Sequence, residues 1–334
     1  MYRTVQLFVV LFLSSLFAAN SQAADKLEVG YMPIISIAQE FVVLERKTAT
    51  DPGLENAKLI EFQNGPAIVQ ALLAGQLDVA YLGIGPAMVA RTKGADIKVV
   101  AASTIESDSL LALGDLAHYF QNGDASTAFA RFASDKGRKA VITTFPRGSV
   151  PETVLQYWLR KQLKVDPDSV KVIYQGAAQV QQSLLTGAVD GASIMEPTVS
   201  IVTSRLKDAR VVASGSGLFP DQPASVLVVR EKLIREKPEL VRTLVAAHVE
   251  ATELLRNKPE EAAPAVRKYV GHGRLPLETV VLALQNSRLG FVSDPKKIIK
   301  STQMMHDFQV EIGTLKGAMD VETMFDAQFF DQLK

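Results

Sequence analysis

The chain has 334 residues, of which 47% are hydrophobic and 22% are charged, and it contains no cysteine. This length suits two domains, and the hydrophobic fraction supplies enough apolar surface for two cores. Basic and acidic side chains are equal in number, 36 of each, so the net positive charge typical of nucleic-acid-binding proteins is missing. The absence of cysteine excludes disulfides, cysteine nucleophiles and a lipid-modified N-terminal cysteine.

The first 23 residues have the pattern of a secretory signal peptide. Arg3 precedes an apolar run over residues 5–19, and the small residues Ser21 and Ala23 have the spacing of a signal-peptidase site. The run is shorter than the roughly 20 residues that a membrane-spanning helix needs. We therefore expect cleavage after Ala23, export to the periplasm and a mature chain without a transmembrane span. An uncleaved N-terminal anchor is the alternative.

From residue 26 onward, short β-type runs alternate with stretches of helical period, which predicts an α/β fold with largely parallel sheets. In the first part, strands are predicted at 27–30, 58–61, 77–82 and 97–101, and helices at 37–46, 67–73 and 87–92. The pattern then restarts, with strands at 140–144, 170–174 and 191–195 and helices at 152–163 and 180–185. We expect residues 114–138 to connect the two parts through a segment with one short helix.

The last third of the sequence begins with a predicted strand at 225–229. Helices follow near 238–256 and 260–269, and the pattern from residue 278 onward is again helical. These elements add a helical C-terminal part to the α/β fold.

Two segments of the sequence repeat each other. Residues 58–80 and 171–192 are both predicted to form a strand, a helix that ends at a glycine, and a second strand. Both segments contain Leu-Leu-x-Gly-x-Leu/Val-Asp. Gly75 and Gly187 stand where a helix ends, and an aspartate opens the next strand. One copy falls in each part of the chain, which indicates two related lobes; a chance likeness between two αβ units is the alternative.

At these residues the chain resembles the nitrate/sulfonate/taurine family of periplasmic substrate-binding proteins that serve ABC importers. The resemblance covers about residues 27–270 and depends on the order of short motifs. These are Val29-Gly-Tyr31, Ala71-Leu-Leu-Ala-Gly-Gln-Leu-Asp-Val-Ala80, Gly83-Ile-Gly-Pro86, Arg147-Gly-Ser149, Leu185-Thr-Gly-Ala-Val-Asp190 and Glu196-Pro197. Members of that family often carry an aromatic residue directly before Glu-Pro, where this chain has Met195.

The resemblance implies a two-lobed, type II-like periplasmic-binding-protein fold, in which each lobe is a mostly parallel sheet flanked by helices and a hinge closes the cleft. We expect one lobe at 24–108 and 223–334 and the other at 109–222, with crossings near 104–113 and 213–228. The implied ligand is a small organic anion, with an aliphatic sulfonate or taurine-like compound ranked first and nitrate last. The implied partner is an inner-membrane ABC permease with its ATPase, and we expect a monomer without cofactor, metal site or catalytic residues.

In open α/β sheets, ligands bind beyond the carboxyl ends of the strands. The candidates in the first lobe are therefore Pro33, Ile34, Ser36, Asn64, Gly65, Gly83, Ile84, Gly85 and Pro86. In the Gly83–Pro86 turn, small residues let a ligand approach the backbone and a proline suits the helix start. The turn lacks the Gly-Lys-Ser/Thr ending of a nucleotide-binding loop. Ordinary helix-start chemistry is the alternative for the turns at Ser36 and Asn64.

The candidates in the second lobe are Arg147, Gly148, Ser149, Val150, Gln175, Met195 and Glu196. Arg147 and the N–H groups of the helix start that follows suit a sulfonate, nitrate, phosphonate or carboxylate group. Ser149 and Glu152 also have capping-box spacing, so a capped helix with a solvated arginine is the alternative. The Glu196 carboxylate suits a ligand ammonium group, or it pairs with a neighbour and locks the lobe.

Two other functions fit parts of this pattern. Pyrimidine-precursor synthases share the fold, but the four histidines of this chain are scattered without metal-ligand spacing, and no catalytic triad motif is present. A ligand-sensing module for a membrane sensor is the other alternative, because docking to an importer leaves no local motif.

Overall fold

The structure of the chain is a computed structural model that describes residues 26–46 and 51–333. The expected signal peptide, residues 1–23, lies outside the described residues. Among the described helices, none combines the length and the apolar character that a membrane-spanning helix requires.

The strands of the described chain form two sheets. In chain order they are β1 (Glu28–Tyr31), β2 (Lys58–Glu61), β3 (Val79–Gly83), β4 (Ile97–Ile105), β5 (Asp108–Ala112), β6 (Ala140–Thr144), β7 (Val170–Tyr174), β8 (Gly191–Met195), β9 (Arg210–Ser214) and β10 (Pro223–Arg230). The first sheet has the order β2-β1-β3-β10-β4, and the second has the order β7-β6-β8-β5-β9. In each sheet, four strands run in one direction, and the fourth strand in the order runs antiparallel to its two neighbours.

Helices flank both sheets. They are α1 (Ala38–Arg46), α2 (Pro52–Glu55), α3 (Gly65–Leu73), α4 (Ile84–Thr92), α5 (Gly114–Gln121), α6 (Ala128–Lys136), α7 (Val150–Tyr157), α8 (Ala177–Leu185), α9 (Thr198–Arg205), α10 (Glu231–Glu236), α11 (Pro238–Asn257), α12 (Pro259–Tyr269), α13 (Leu277–Ser287), α14 (Ile299–Glu311) and α15 (Gln328–Asp331). The predicted two-lobed α/β fold is confirmed.

The chain passes between the sheets twice. It leaves the first sheet after β4 and enters the second at β5, with only residues 106–107 between them, and it returns through residues 215–222. Because β5 and β10 each begin at the crossing, they run away from the other lobe, whereas β6 and β8 run toward it. This is why each sheet contains one antiparallel strand.

Gln222 joins the two crossings. Its backbone oxygen accepts a hydrogen bond from the Glu106 N–H at 2.9 Å, and its side-chain oxygen accepts one from the Asp108 N–H at 2.9 Å. The side-chain amide donates to the Gly215 oxygen at 3.3 Å. A single buried side chain therefore connects the outgoing and the returning segment.

Several predicted elements are confirmed with the same bounds, among them β2, β6, β7 and β8. The prediction for residues 114–138 is wrong, because this segment forms two helices, α5 and α6, rather than one. Each helix buries a short apolar face, with Leu116 on α5 and Phe129 and Phe132 on α6. The polar residues between them hid this pattern, and the strands β5 and β9 were not predicted.

The C-terminal helices brace the two lobes. Gln309 on α14 donates to the Thr153 hydroxyl on α7 at 2.8 Å. Asn286 on α13 donates to the Glu196 carboxylate, beside α9, at 3.1 Å. Both contacts connect the end of the chain to the lobe that contains the second sheet.

Candidate functional site

A narrow cavity of about 20 Å³ lies between the two lobes. Its lining consists of Met32, Ile34, Gly65, Gly83, Pro86, Ser107, Asp108, Phe145, Ser149, Val150, Pro151, Met195, Ala224 and Ser225. These residues end or follow strands of both sheets, or they lie in a crossing or at the start of the strand that begins there. A cavity of this size holds about one water molecule, whereas small-molecule pockets range from about 300 to 1,000 Å³. A solute therefore fits here only when the lobes or the lining side chains move apart.

In the described part of the chain, three helices begin at the cavity: α3, α4 and α7. The Asn64 side chain accepts from the Ala67 N–H at 3.0 Å, and the Ser149 hydroxyl accepts from the Glu152 N–H at 3.4 Å, so both residues cap their helices. Each helix also has a proline within its first three positions, where no hydrogen-bonding N–H is needed. The first turn of a helix has N–H groups without a partner within the helix and the positive end of the dipole, and both favour an anion.

Part of the predicted site set lines this cavity. These residues are Ile34, Gly65, Gly83, Pro86, Ser149, Val150 and Met195. The lining residues that the sequence did not point to are Met32, Ser107, Asp108, Phe145, Pro151, Ala224 and Ser225. Met32 and Phe145 directly follow strands, so the strand-end rule could have included them, whereas Asp108 and Ser225 lie on the crossing strands that this rule does not cover.

Two predicted glycines, Gly85 and Gly148, lie where the lobes touch. A Cβ atom on Gly85 would lie 2.6 Å from the Gly148 backbone oxygen and 3.1 Å from the Gln309 side-chain amide. Real Cβ atoms essentially never lie within 3.0 Å of another heavy atom, so the distance to the Gly148 oxygen could not be accommodated without a shift. The absence of a side chain at Gly85 therefore permits close packing of one lobe on the other.

Arg147 lies on the surface, outside the cavity lining. Its guanidinium is over the Tyr174 ring, with 5.8 Å from Cζ to the ring centroid, and its Nε donates to the Tyr174 hydroxyl at 3.3 Å. The side chain borders outer grooves that also contain Arg160 and Lys316. Arg147 is therefore absent from the lining of the narrow cavity, but one of these grooves also lies between the lobes, because Pro86 and Val89 of the first lobe line it together with Arg147.

Glu196 is buried and bonded within the protein. Its carboxylate accepts from the Ser200 N–H at 2.9 Å, from the Ser200 hydroxyl at 2.7 Å and from the Asn286 amide at 3.1 Å. Burial raises the pKa of Glu196, and these hydrogen bonds oppose the rise. Its backbone oxygen accepts from the Ile35 N–H of the first lobe at 3.2 Å. In this arrangement both the carboxylate and the backbone oxygen of Glu196 have partners within the protein.

The remaining predicted residues also have partners inside the protein or lie beside the cavity. Ser36 accepts from the Ser225 hydroxyl at 3.0 Å, and the Gln175 side-chain oxygen accepts from Thr143 at 2.7 Å. Ile84 is fully buried, and Pro33 is partly buried next to Ile34.

Asp108 differs from these residues. It is fully buried at the start of β5, where it is paired with Met195 of β8. Neither of its carboxylate oxygens has a hydrogen-bond partner within the described residues. Burial raises the pKa of Asp108 to about 7, and the neighbouring Ser107 hydroxyl opposes the rise. No lysine, arginine or histidine is among the described residues that line the cavity.

Known proteins share this architecture. The nitrate-binding protein of Synechocystis PCC 6803 superposes with a TM-score of 0.78 at 13% identity, covering 92% of this chain and 87% of that one. The alkanesulfonate-binding protein of Xanthomonas axonopodis pv. citri superposes with a TM-score of 0.72 at 19% identity, covering 90% of this chain and 98% of that one. Both likenesses concern the fold.

Sequence comparison extends over nearly the whole chain. A protein of Brucella abortus, named only as a binding protein, is 27% identical over 97% of this chain and 98% of its own length. The model of the NMT1-like family matches residues 20–269. This match and the shared fold confirm the resemblance drawn from the sequence motifs, and the chain belongs to the NMT1-like family.

Proposed function

We propose that this protein is a periplasmic solute-binding protein that captures a small organic anion between its lobes and delivers it to an inner-membrane ABC permease with its ATPase. In this proposal, residues 1–23 direct export, and residues 24–108 with 223–334 form one lobe around an inserted lobe at 109–222. The observation that carries the proposal is the convergence of three helix N-termini on a cavity enclosed by both lobes.

The chemistry of the lining supports an organic anion over nitrate. One helix N-terminus contributes about 0.3–1 kcal/mol when exposed and up to about 2 kcal/mol when partly buried. Even three together stay below the roughly 8 kcal/mol that micromolar affinity requires. The lining offers further binding energy mainly through apolar contacts, including Met32, Phe145 and Met195. A ligand with a carbon skeleton, such as an aliphatic sulfonate, uses both contributions.

Hinge closure is supported by the connection between the lobes. The two crossings are short, and the lobes touch through Gly85 and Gly148 and through the hydrogen bond from Ile35 to Glu196. We propose that an open form admits the solute and that these contacts form when the cleft closes.

A thermal-shift screen of the mature chain, residues 24–334, tests the proposal. The panel contains alkanesulfonates, taurine, phosphonates, carboxylates, nitrate and, as neutral compounds, pyrimidines. A ligand at 100 times its dissociation constant adds about 2.7 kcal/mol to the free energy of unfolding, so we expect a clear rise in Tm with one class of organic anion. Recovery of the unchanged compound after incubation is expected of a binding protein. A rise with only neutral compounds would refute the ligand class, and conversion of the compound would refute the binding role.

A further inference from the structure

The cavity contains one ionisable side chain among its described lining residues, and that side chain is the unpartnered Asp108. A buried carboxylate is costly for a folded protein unless donors replace the hydration that burial removes. For Asp108, the Ser107 hydroxyl is near enough to favour the charged form but lies outside hydrogen-bond geometry, so the hydration is not replaced within the described residues. A buried polar group without a partner therefore needs an explanation. One explanation is a binding site in which the ligand supplies the missing hydrogen-bond donor.

The position of Asp108 explains why its own protein leaves the carboxylate unpaired. It is the first residue of β5, directly after the crossing, and its backbone N–H is bound by the Gln222 side chain. Strand pairing sets it opposite Met195, and the thioether offers no strong donor. Another buried carboxylate near the cleft, Glu196, shows the contrast, since it has three donors.

We infer that the solute carries a protonated amine, or a comparable N–H cation, in addition to its anionic group, and that Asp108 binds this cation. The ligand class is then a small zwitterion, such as an aminosulfonate, an amino acid or an aminophosphonate. The anionic group lies at the helix N-termini, and the amine supplies the donors that Asp108 lacks. This inference rests on the proposed function, which requires only the anionic group.

A different protonation state gives a competing arrangement. An Asp108 that keeps its proton can donate to the anionic group itself. In that case an asparagine, which also has a donor, serves as well as the aspartic acid, and an amine on the ligand brings no advantage. The two arrangements therefore differ in their response to the same substitution.

Matched ligand pairs test the inference. The pairs are taurine and ethanesulfonate, β-alanine and propionate, and 2-aminoethylphosphonate and ethylphosphonate, each measured by calorimetry against the mature wild-type chain. We expect the amine-bearing member of the recognised pair to bind about 10- to 150-fold more tightly, which corresponds to a hydrogen bond with a charged group. The variant Asp108→Asn should lose this preference and bind both members with similar affinity.

The control variant is Glu40→Gln. Glu40 is also a buried carboxylate without a hydrogen-bond partner in the described chain, but it lies on α1 and does not line the cavity between the lobes. This variant should keep the preference for the amine. Circular dichroism spectra of both variants show whether the fold is intact.

The outcomes separate the inference from the proposed function. Equal affinity within every pair for the wild-type chain, or an amine preference that survives Asp108→Asn, overturns the inference and leaves an anion-binding protein. If no member of any pair binds, the proposed function fails and the inference fails with it.

Discussion

The contact between the lobes at Gly85 can be tested with one methyl group. In the closed arrangement, the Cβ of Gly85→Ala would lie 2.6 Å from the Gly148 backbone oxygen, whereas ordinary contacts begin at 3.4 Å. The two lobes must separate by about 0.8 Å at this point, since a backbone oxygen cannot rotate away. Overpacking of this kind typically costs about 1–3 kcal/mol.

The overpacking in Gly85→Ala destabilises only the closed form, because the two lobes touch at this point only when the cleft is closed. Gly85 lies in the first turn of α4 with a helical backbone that alanine also adopts, so the substitution favours the helix itself by up to about 1 kcal/mol. We therefore expect Gly85→Ala to retain or slightly raise the Tm of the ligand-free protein, and to weaken ligand binding about 5- to 150-fold. Calorimetry measures the affinity, and small-angle X-ray scattering measures how far the ligand compacts the protein.

Gly176→Ala is the matched control. Gly176 also faces the other lobe, but its added Cβ would lie 3.5 Å from Gln63, an ordinary contact distance. This variant should close and bind like the wild type. Wild-type affinity and full compaction in Gly85→Ala would show that the ligand-bound form does not contain the contact between Gly85 and Gly148.

Three further predictions concern charged groups. The folded-state pKa of Asp108 is about 7, against an ordinary 3.8. The protonated side chain therefore favours folding at low pH, and this contribution to the free energy of unfolding is lost as the pH rises toward 7. Urea unfolding should show that the wild type loses about 4 kcal/mol of stability relative to Asp108→Asn between pH 4 and 7, at 1.36 kcal/mol per pH unit. The comparison of the two proteins cancels the opposite trend of His248, whose pKa burial lowers to about 4. Arg147→Ala should change calorimetric affinity by no more than about twofold, because the side chain is on the surface; a large loss would place the guanidinium in the ligand-bound cleft. Asn286→Ala removes a donor from the buried Glu196 carboxylate and should lower the free energy of unfolding by about 1.5–3 kcal/mol, and an unchanged urea midpoint would contradict this.

Local signals in the sequence were sufficient for most of the fold. The strands at 140–144 and 191–195 are short β-type runs bounded by turn residues, so their type and bounds could be predicted. Strand β5 was not predicted, because only two residues separate it from β4. The local sequence pattern does not show that the chain passes from one sheet to the other there. Only one short helix was predicted over residues 114–138, because α5 and α6 each have too few turns for a clear period.

The sequence could predict those parts of the candidate site that depend on the position of the backbone. The glycines and prolines after the strands located the helix starts, because parallel strands bring their carboxyl ends to one edge. Side-chain roles could not be predicted in the same way. Arg147 precedes a helix start in the sequence, yet its side chain lies on Tyr174. Asp108 gains its position from the chain crossing and from pairing with Met195, which are tertiary facts.

The strand order also determines when each lobe can be completed. In the first sheet, β10 separates β3 from β4, so those two strands lack their shared neighbour until residues 223–230 have been made. The second sheet is built entirely from residues 108–214 and needs nothing that follows. A chain that emerges N-terminus first can therefore complete the lobe with the second sheet before the lobe with the first sheet. Until β10 has been made, the unpaired edges of β3 and β4 must be kept from pairing with other strands.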